Sequence, residues 1–159
     1  MIIEDIIKTL HLIPHPEGGF YSETYRSEIT IPGMDRQLMT IIYFLLTSEN
    51  VSHFHRIKSD EFWFFHSGSP LIVHILDENG HSEIKVGNDL LNGELPQFMV
   101  PKDTIFGSSV SEDNSYSLVS CAVAPGFDFS DFELFNSVEL VKLYPDEYEI
   151  ISRLTSSEI

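Results

Sequence analysis

Residues 53–68 read HFHRIKSDEFWFFHSG, two runs of strand-forming residues joined by a polar turn. Residues two apart in an extended chain share a face, so His53 and His55 are expected to project together. A hairpin after His55 returns the chain and brings Glu61 beside them on the neighbouring strand. Two imidazoles and a carboxylate meeting from adjacent strands make a facial ligand set for a divalent transition ion such as iron, manganese, nickel or zinc. Without a metal, the same trio suits acid–base work with an orienting carboxylate. An H-x-H in a β-rich chain also arises as two solvent-facing or hydrogen-bonded histidines, and spacing alone leaves these readings open.

Outward from this segment the pattern stays short and β-like. Phe20 to Ser27 alternates aromatic and polar residues, and Leu38 to Thr47 is a near-continuous apolar run, as in a strand covered on both faces. Val51 to Arg56, Phe62 to His66 and Leu71 to Leu76 follow, then Ser82 to Val86 after the turn at Asp77 to Gly80. Gln97 to Val100, Thr104 to Gly107 and Tyr116 to Ala124 complete the set. Short strands at regular spacing without intervening helices predict an all-β antiparallel sandwich or barrel. Helical spacing marks only the ends. Ile3, Ile6, Ile7 and Leu10 form an apolar stripe that stops near Pro14, and a second helix is expected from about Asp146 to Leu154. No repeat or linker divides the 159 residues, so one domain over 1–159 is expected.

The charge excludes some partners. A formal charge of −16 argues against nucleic acid, whose phosphates are held by clustered Lys and Arg, and against an anionic membrane surface. The one cysteine, Cys121, forms no internal disulfide and alternates with Val119 and Val123, so it reads as a small buried hydrophobe. No leader pattern opens the sequence and no apolar run approaches the ~20 residues that span a bilayer. The expected setting is the cytoplasm.

The first motif resembles that of the cupins, in which H-x-H is followed by a Glu and, six intervening residues later, a Gly; Glu61 and Gly68 keep that spacing. Counting forward from His55 selects Asp60 instead. Glu61 is preferred because its spacing to Gly68 ties it to its own strand, leaving the extra residue to the loop. HPEGGFY (15–21), SETYR (22–26), GNDL (87–90), GELPQ (93–97), Val100-Pro101 and VAPGFDFSDFEL (123–134) extend the likeness. Together they resemble one cupin family, catalogued as a domain of unknown function, over about residues 8 to 155. The resemblance implies a cupin jelly-roll barrel (a double-stranded β-helix) with short N- and C-terminal helices, and a homodimer. The second cupin motif usually carries a metal-binding His five residues after a Pro, and here that position is Phe106. Either three ligands hold a metal with open positions, or the histidines contact an organic ligand with Phe106 as an aromatic wall.

Other pocket candidates follow from alternation in a barrel. Trp63 and Phe65 share the face of Glu61, and Trp63 offers stacking area and an indole N–H. Glu23 and Tyr25 share a face and resemble family pocket residues. Arg26 is a candidate for an anionic group or a surface ion pair, and Gln97 for an inward amide. Lys58 is expected in solvent, and His74, out of phase with Val73 and Ile75, at the surface. Pro14 to Gly19 reads as a fixed loop at the pocket rim, and Phe127, Phe129 and Phe132 as core or dimer interface.

By analogy with jelly-roll isomerases and epimerases, the expected function is an enzyme acting on a small polar metabolite, a sugar or sugar-nucleotide derivative. His53 or His55 would remove a proton, Glu61 would orient the imidazole, and Tyr25 would return a proton. A divalent metal on His53, His55 and Glu61 is the metal-dependent variant. A non-catalytic sensor or carrier of a small ligand is the alternative.

Overall fold

The alternating segments pair into two antiparallel sheets that close on one another, as seen in a computed structural model describing residues 2–156. The first sheet has the order β1 (Ile13–Pro14), β2 (Phe20–Arg26), β3 (Thr40–Thr47), β10 (Tyr116–Ala124), β5 (Asp60–Gly68), β8 (Gln97–Val100). The second runs β11 (Glu133–Leu134), β4 (Ser52–Arg56), β9 (Ile105–Val110), β6 (Leu71–Asp77), β7 (Gly80–Val86). From β3 to β6 and again from β7 to β11 the chain crosses from one sheet to the other at each step, which is what closes a jelly roll. Helix α1 (Ile2–Thr9) precedes the sheets, and α2 (Ser137–Leu143) and α3 (Tyr148–Arg153) follow them. No helix among the described residues is long and apolar enough to cross a membrane.

The core sits in two layers. Between the sheets, Phe44, Trp63 and Phe106 pack edge-on at centroid distances of 6.0 and 6.1 Å, surrounded by Leu46, Leu71, Val73, Val119 and Cys121. Each buried aromatic of this kind stabilises the fold by roughly 2–3 kcal/mol through area alone. Outside the second sheet, Phe54, Leu76 and Ile105 pack on Phe135, Leu140, Ile151 and Leu154, which lie in and beside the C-terminal helices. That sheet is therefore covered on both faces, and β6 carries alternating residues into both layers.

The second layer corrects two expectations. His74 is fully buried on the outer face of β6, where Nε2 meets the Ser109 hydroxyl at 2.8 Å. Burial, with the charges of His81 and Arg153, lowers its pKa to about 3. The C-terminal region also holds a helix, α2, that the periodicity did not announce. Asn136 caps it, accepting from the Glu139 N–H at 2.9 Å and donating to the Glu139 carboxylate at 2.9 Å. The sequence signal was the capping pair Asn136 and Glu139 ahead of Leu140 and Val141.

Two strands break their alternation, and both breaks shape the site. In β2, Glu23 pairs with Ile42 and Tyr25 with Ile41, so Thr24 is an extra residue. In β4, Ser52 pairs with Ser108 and His55 with Phe106, which again leaves β4 one residue longer than its partner. A bulge of this kind shifts the side-chain phase of everything after it.

Candidate functional site

The loop from His15 to Gly19 carries a carboxylate into the barrel. Gly18 has φ +110° and Gly19 +76°, and a Cβ on Gly18 would sit 2.0 Å from the Val51 carbonyl oxygen. Only glycine permits that approach. The close contact lets β4 hold the loop. The His53 backbone N–H and its Nδ1–H both donate to the Glu17 carbonyl at 2.7 Å. Glu17 then lies buried, with one carboxylate oxygen 2.7 Å from Nε2 of His55. On its other ring nitrogen, His55 donates from Nδ1 to the His53 carbonyl at 2.7 Å.

Glu17 and His55 form a buried ion pair. Burial alone would push the Glu17 carboxyl up, but the charge and hydrogen bond of His55 carry it below its ordinary value. Burial likewise opposes a charge on His55, and the Glu17 charge and hydrogen bond, then Glu61, raise its pKa all the same. Above them, Glu61 is buried and its carboxyl accepts no hydrogen bond among the described residues. Burial first, then the Glu17 charge, raises Glu61 to about 8, with His55 working in the opposite direction. A carboxyl in such a setting is mostly protonated at neutral pH.

These groups face a cavity of about 180 Å³. Glu17, His55, Glu61, Trp63 and Cys121 line its inner part, and Tyr21, Phe127, Phe129 and Phe132 wall it with aromatic rings. Trp63 is 1% exposed, and its indole N–H has no hydrogen-bond partner. His15 also faces the cavity. Its Nδ1 accepts from the Glu17 N–H at 3.1 Å, which leaves the proton on Nε2. Burial lowers its pKa, so the ring is neutral. Near the mouth, Arg26 donates to the Glu23 carboxylate at 2.6 and 3.2 Å, to Gln37 at 2.9 Å and to the Phe127 carbonyl at 3.0 Å. Buried Cys121 carries a thiol pushed up by burial and by the charges of Glu61 and Glu17, and so stays protonated.

Of the residues nominated from the sequence, His55, Glu61, Trp63, Glu23 and Arg26 line the cavity. The bulge at Thr24 gives Glu23 Arg26, not Tyr25, as its companion there; Tyr25 is 47% exposed and outside the cavity. Gln97 is exposed on β8. Phe106 lies behind His55 at a centroid distance of 4.3 Å, a support for the imidazole rather than part of the wall. Asp60 caps the turn by accepting from the Lys102 N–H at 2.9 Å. Lys58 is exposed, and Phe127, Phe129 and Phe132 are cavity walls.

His53 is spent on the loop. With its Nδ1 on a carbonyl and both nitrogens of His55 occupied, the expected metal trio of His53, His55 and Glu61 is not among the groups of the described residues whose ligand atoms converge. These residues, as arranged, do not fit a divalent ion. The sequence reading missed His15 and Glu17 as functional groups. The available signal was an ionisable pair inside a loop fixed by two prolines and two glycines.

Comparison with known proteins supplies the family. Residues 4–135 match the family described as Cupin superfamily (DUF985). The chain belongs to this cupin family. It is similar to a protein of Shewanella oneidensis, at 46% identity with a TM-score of 0.92, over 98% of both chains. A hypothetical protein from Leishmania major is 43% identical with a TM-score of 0.90, over 97% of this chain and 98% of that one. An uncharacterised protein of Saccharomyces cerevisiae is 28% identical over 88% of this chain and 78% of its own length. More distant cupin-like structures share the fold alone.

Proposed function

We propose that this cupin binds a small polar metabolite in its barrel and moves a proton on it, with Glu61 as the group that exchanges the proton. The observation that carries the reading is the buried, unpartnered Glu61 carboxyl beside the Glu17–His55 ion pair. A carboxyl that titrates near neutral pH serves as base when ionised and as acid when protonated. His55, doubly donating, is a positioning residue that holds Glu17 and sets the field felt by Glu61. Neutral His15 and Trp63 offer N–H donors for a substrate oxygen, and the aromatic walls suit the apolar face of a sugar ring. The cavity is smaller than the ~300–1,000 Å³ of drug-sized ligand sites, so the occupant is about a monosaccharide in size. The nucleotide of a sugar nucleotide would lie beyond the Glu23–Arg26 mouth.

In the proposed step, ionised Glu61 takes a proton from a carbon next to a carbonyl, and an N–H donor stabilises the enolate oxygen. Protonated Glu61 then returns the proton to the neighbouring carbon while that carbon's hydroxyl becomes the new carbonyl and its proton passes to the old carbonyl oxygen, giving an aldose–ketose isomerase outcome. A homodimer in the cytoplasm belongs to the same proposal, and sedimentation of the purified chain reads its oligomeric state.

The test is solvent exchange. A panel of aldoses, ketoses and their phosphates is incubated with the protein in D2O and followed by NMR. Deuterium incorporation at one carbon, abolished in Glu61→Gln, is the expected result. A ligand that shifts the melting temperature yet never exchanges would sink the catalytic reading. It would leave a carrier or sensor, a second reading favoured by Tyr25, the expected proton-returning group, lying outside the cavity.

A further inference from the structure

On the far side of the second sheet, away from the barrel cavity, a second group of ligating side chains converges. His74 on β6 pairs directly with Glu83 on β7, and His81 lies two residues before Glu83 on the same face. Nδ1 of His74 is 3.0 Å from Nε2 of His81 and 3.6 Å from a Glu83 carboxylate oxygen, which in turn is 3.8 Å from Nε2 of His81. We propose that these three atoms form a binding site for a divalent transition ion of the zinc class.

Geometry argues first. For a triangle with these sides, the point equidistant from its corners lies about 2.0 Å from each, the length of Zn–N and Zn–O bonds. Two imidazoles and a carboxylate are a donor set for zinc, nickel or cobalt rather than for calcium or magnesium, which take oxygen ligands. No side chain has to swing in to complete the set.

The surroundings argue second. The other ring nitrogen of His74 meets the buried Ser109 hydroxyl at 2.8 Å. Donation from Nε2 to that oxygen leaves the Nδ1 lone pair facing His81 and Glu83. This is the outer hydrogen bond that orients most metal-bound histidines. Such a buried imidazole is also rigid, because it is fully enclosed while His81 and Glu83 reach the surface.

Charge and access argue third. His81 and Glu83 open onto a groove of about 600 Å³ also lined by Asp146, Glu147, Glu149 and Arg153. Its three further carboxylates outweigh the single guanidinium and draw a dication in. Three protein ligands leave at least one coordination position, which faces that groove and accepts water or an external ligand. The ion would join β6 and β7 beside the C-terminal helix α3, and so add its binding energy to the native state.

The test uses the full chain, stripped of metal with a chelator and titrated with Zn²⁺ by calorimetry and by competition with a chromogenic zinc indicator. The expected result is one zinc per chain at a Kd of about 10 μM or tighter. His81→Ala and Glu83→Ala should each weaken it at least tenfold, with unchanged circular dichroism, while His55→Gln retains it. Cobalt in place of zinc should give visible absorption bands that vanish in His81→Ala. The proposal is overturned if the wild type binds no zinc, if both variants bind as tightly as wild type, or if His55→Gln alone abolishes binding. None of these results depends on turnover in the barrel.

Discussion

Replacing Glu61 by glutamine should change how stability depends on pH, in a direction and by an amount that the structure sets. The folded-state carboxyl is raised to about 8 from an ordinary 4.5. Below the lower value both folded and unfolded chains hold the proton, and Glu61 costs nothing. Between the two values the unfolded chain releases it while the folded chain keeps it, so stability falls as pH rises. Above the folded value the cost is constant. Linkage gives a loss of about 2 kcal/mol between pH 6 and pH 8 that Glu61→Gln does not share. The assay is urea denaturation of both proteins at a series of pH values, taking only the pH-dependent part of their difference. The constant effect of swapping acid for amide cancels, and equal m-values confirm that the unfolded reference is shared. A difference that stays flat within about 0.5 kcal/mol would falsify the raised acid. Proton exchange by Glu61 near neutral pH would fall with it.

The other predictions concern the groups around that acid. Glu17→Gln leaves His55 buried without its anion and should cost about 3 kcal/mol, read by urea denaturation at neutral pH. It should also flatten the acid limb, because a carboxyl held below its ordinary value contributes stability above that value and loses it as pH falls through the folded one. Trp63→Phe removes a buried N–H with no partner but leaves a void beside Phe44 and Phe106, so the unliganded protein should lose about 1–2 kcal/mol by urea denaturation while ligand affinity drops about tenfold. Equal affinities by calorimetry would show that the indole N–H meets no ligand. Gly18→Ala drives a Cβ into the Val51 carbonyl at positive φ and should cost about 2 kcal/mol or more, seen as a lower Tm. Tyr25→Phe and Gln97→Ala, both outside the cavity, should leave ligand affinity within about twofold of wild type.

What could be read from the sequence was whatever follows a regular period. Alternation and apolar runs located β2 to β10 but not the two-residue β1 and β11, and the spacing of Glu61 to Gly68 selected the acid that lines the cavity over Asp60, one residue earlier on the same strand. The half-buried stripe of Ile3, Ile6, Ile7 and Leu10 came from the 3.6-residue period in the same way. Alternation failed where a strand gains a residue. An extra Thr24 exchanges Tyr25 for Arg26 at the cavity, and the irregularity in β4 gives His53 and His55 different tasks although they stand two apart. A bulge is fixed by pairing with another strand, so local sequence does not announce it. His74 failed for a related reason. Polar alternation implies an outward face, but outward here means beneath the C-terminal helices, whose docking depends on Phe54 and Leu76 meeting Leu140 and Leu154.

Glu17 belongs to the same argument. Its loop has the prolines and glycines of a fixed turn, and turn chemistry says that a chain bends without saying where the bend lands. The landing place is set by Gly18 against Val51 and by His53 on the Glu17 carbonyl, contacts between residues more than thirty apart in sequence. The core of this barrel therefore comes from its regular positions: Phe44, Trp63, Phe106 and their neighbours. Its chemistry comes largely from the irregular ones, two bulges and a glycine loop that turn Glu17, His55 and Arg26 to their places. It follows that removing the Thr24 bulge should disturb the Glu23–Arg26 mouth more than the core, because Phe44 and Trp63 keep their register with β10 whatever β2 does.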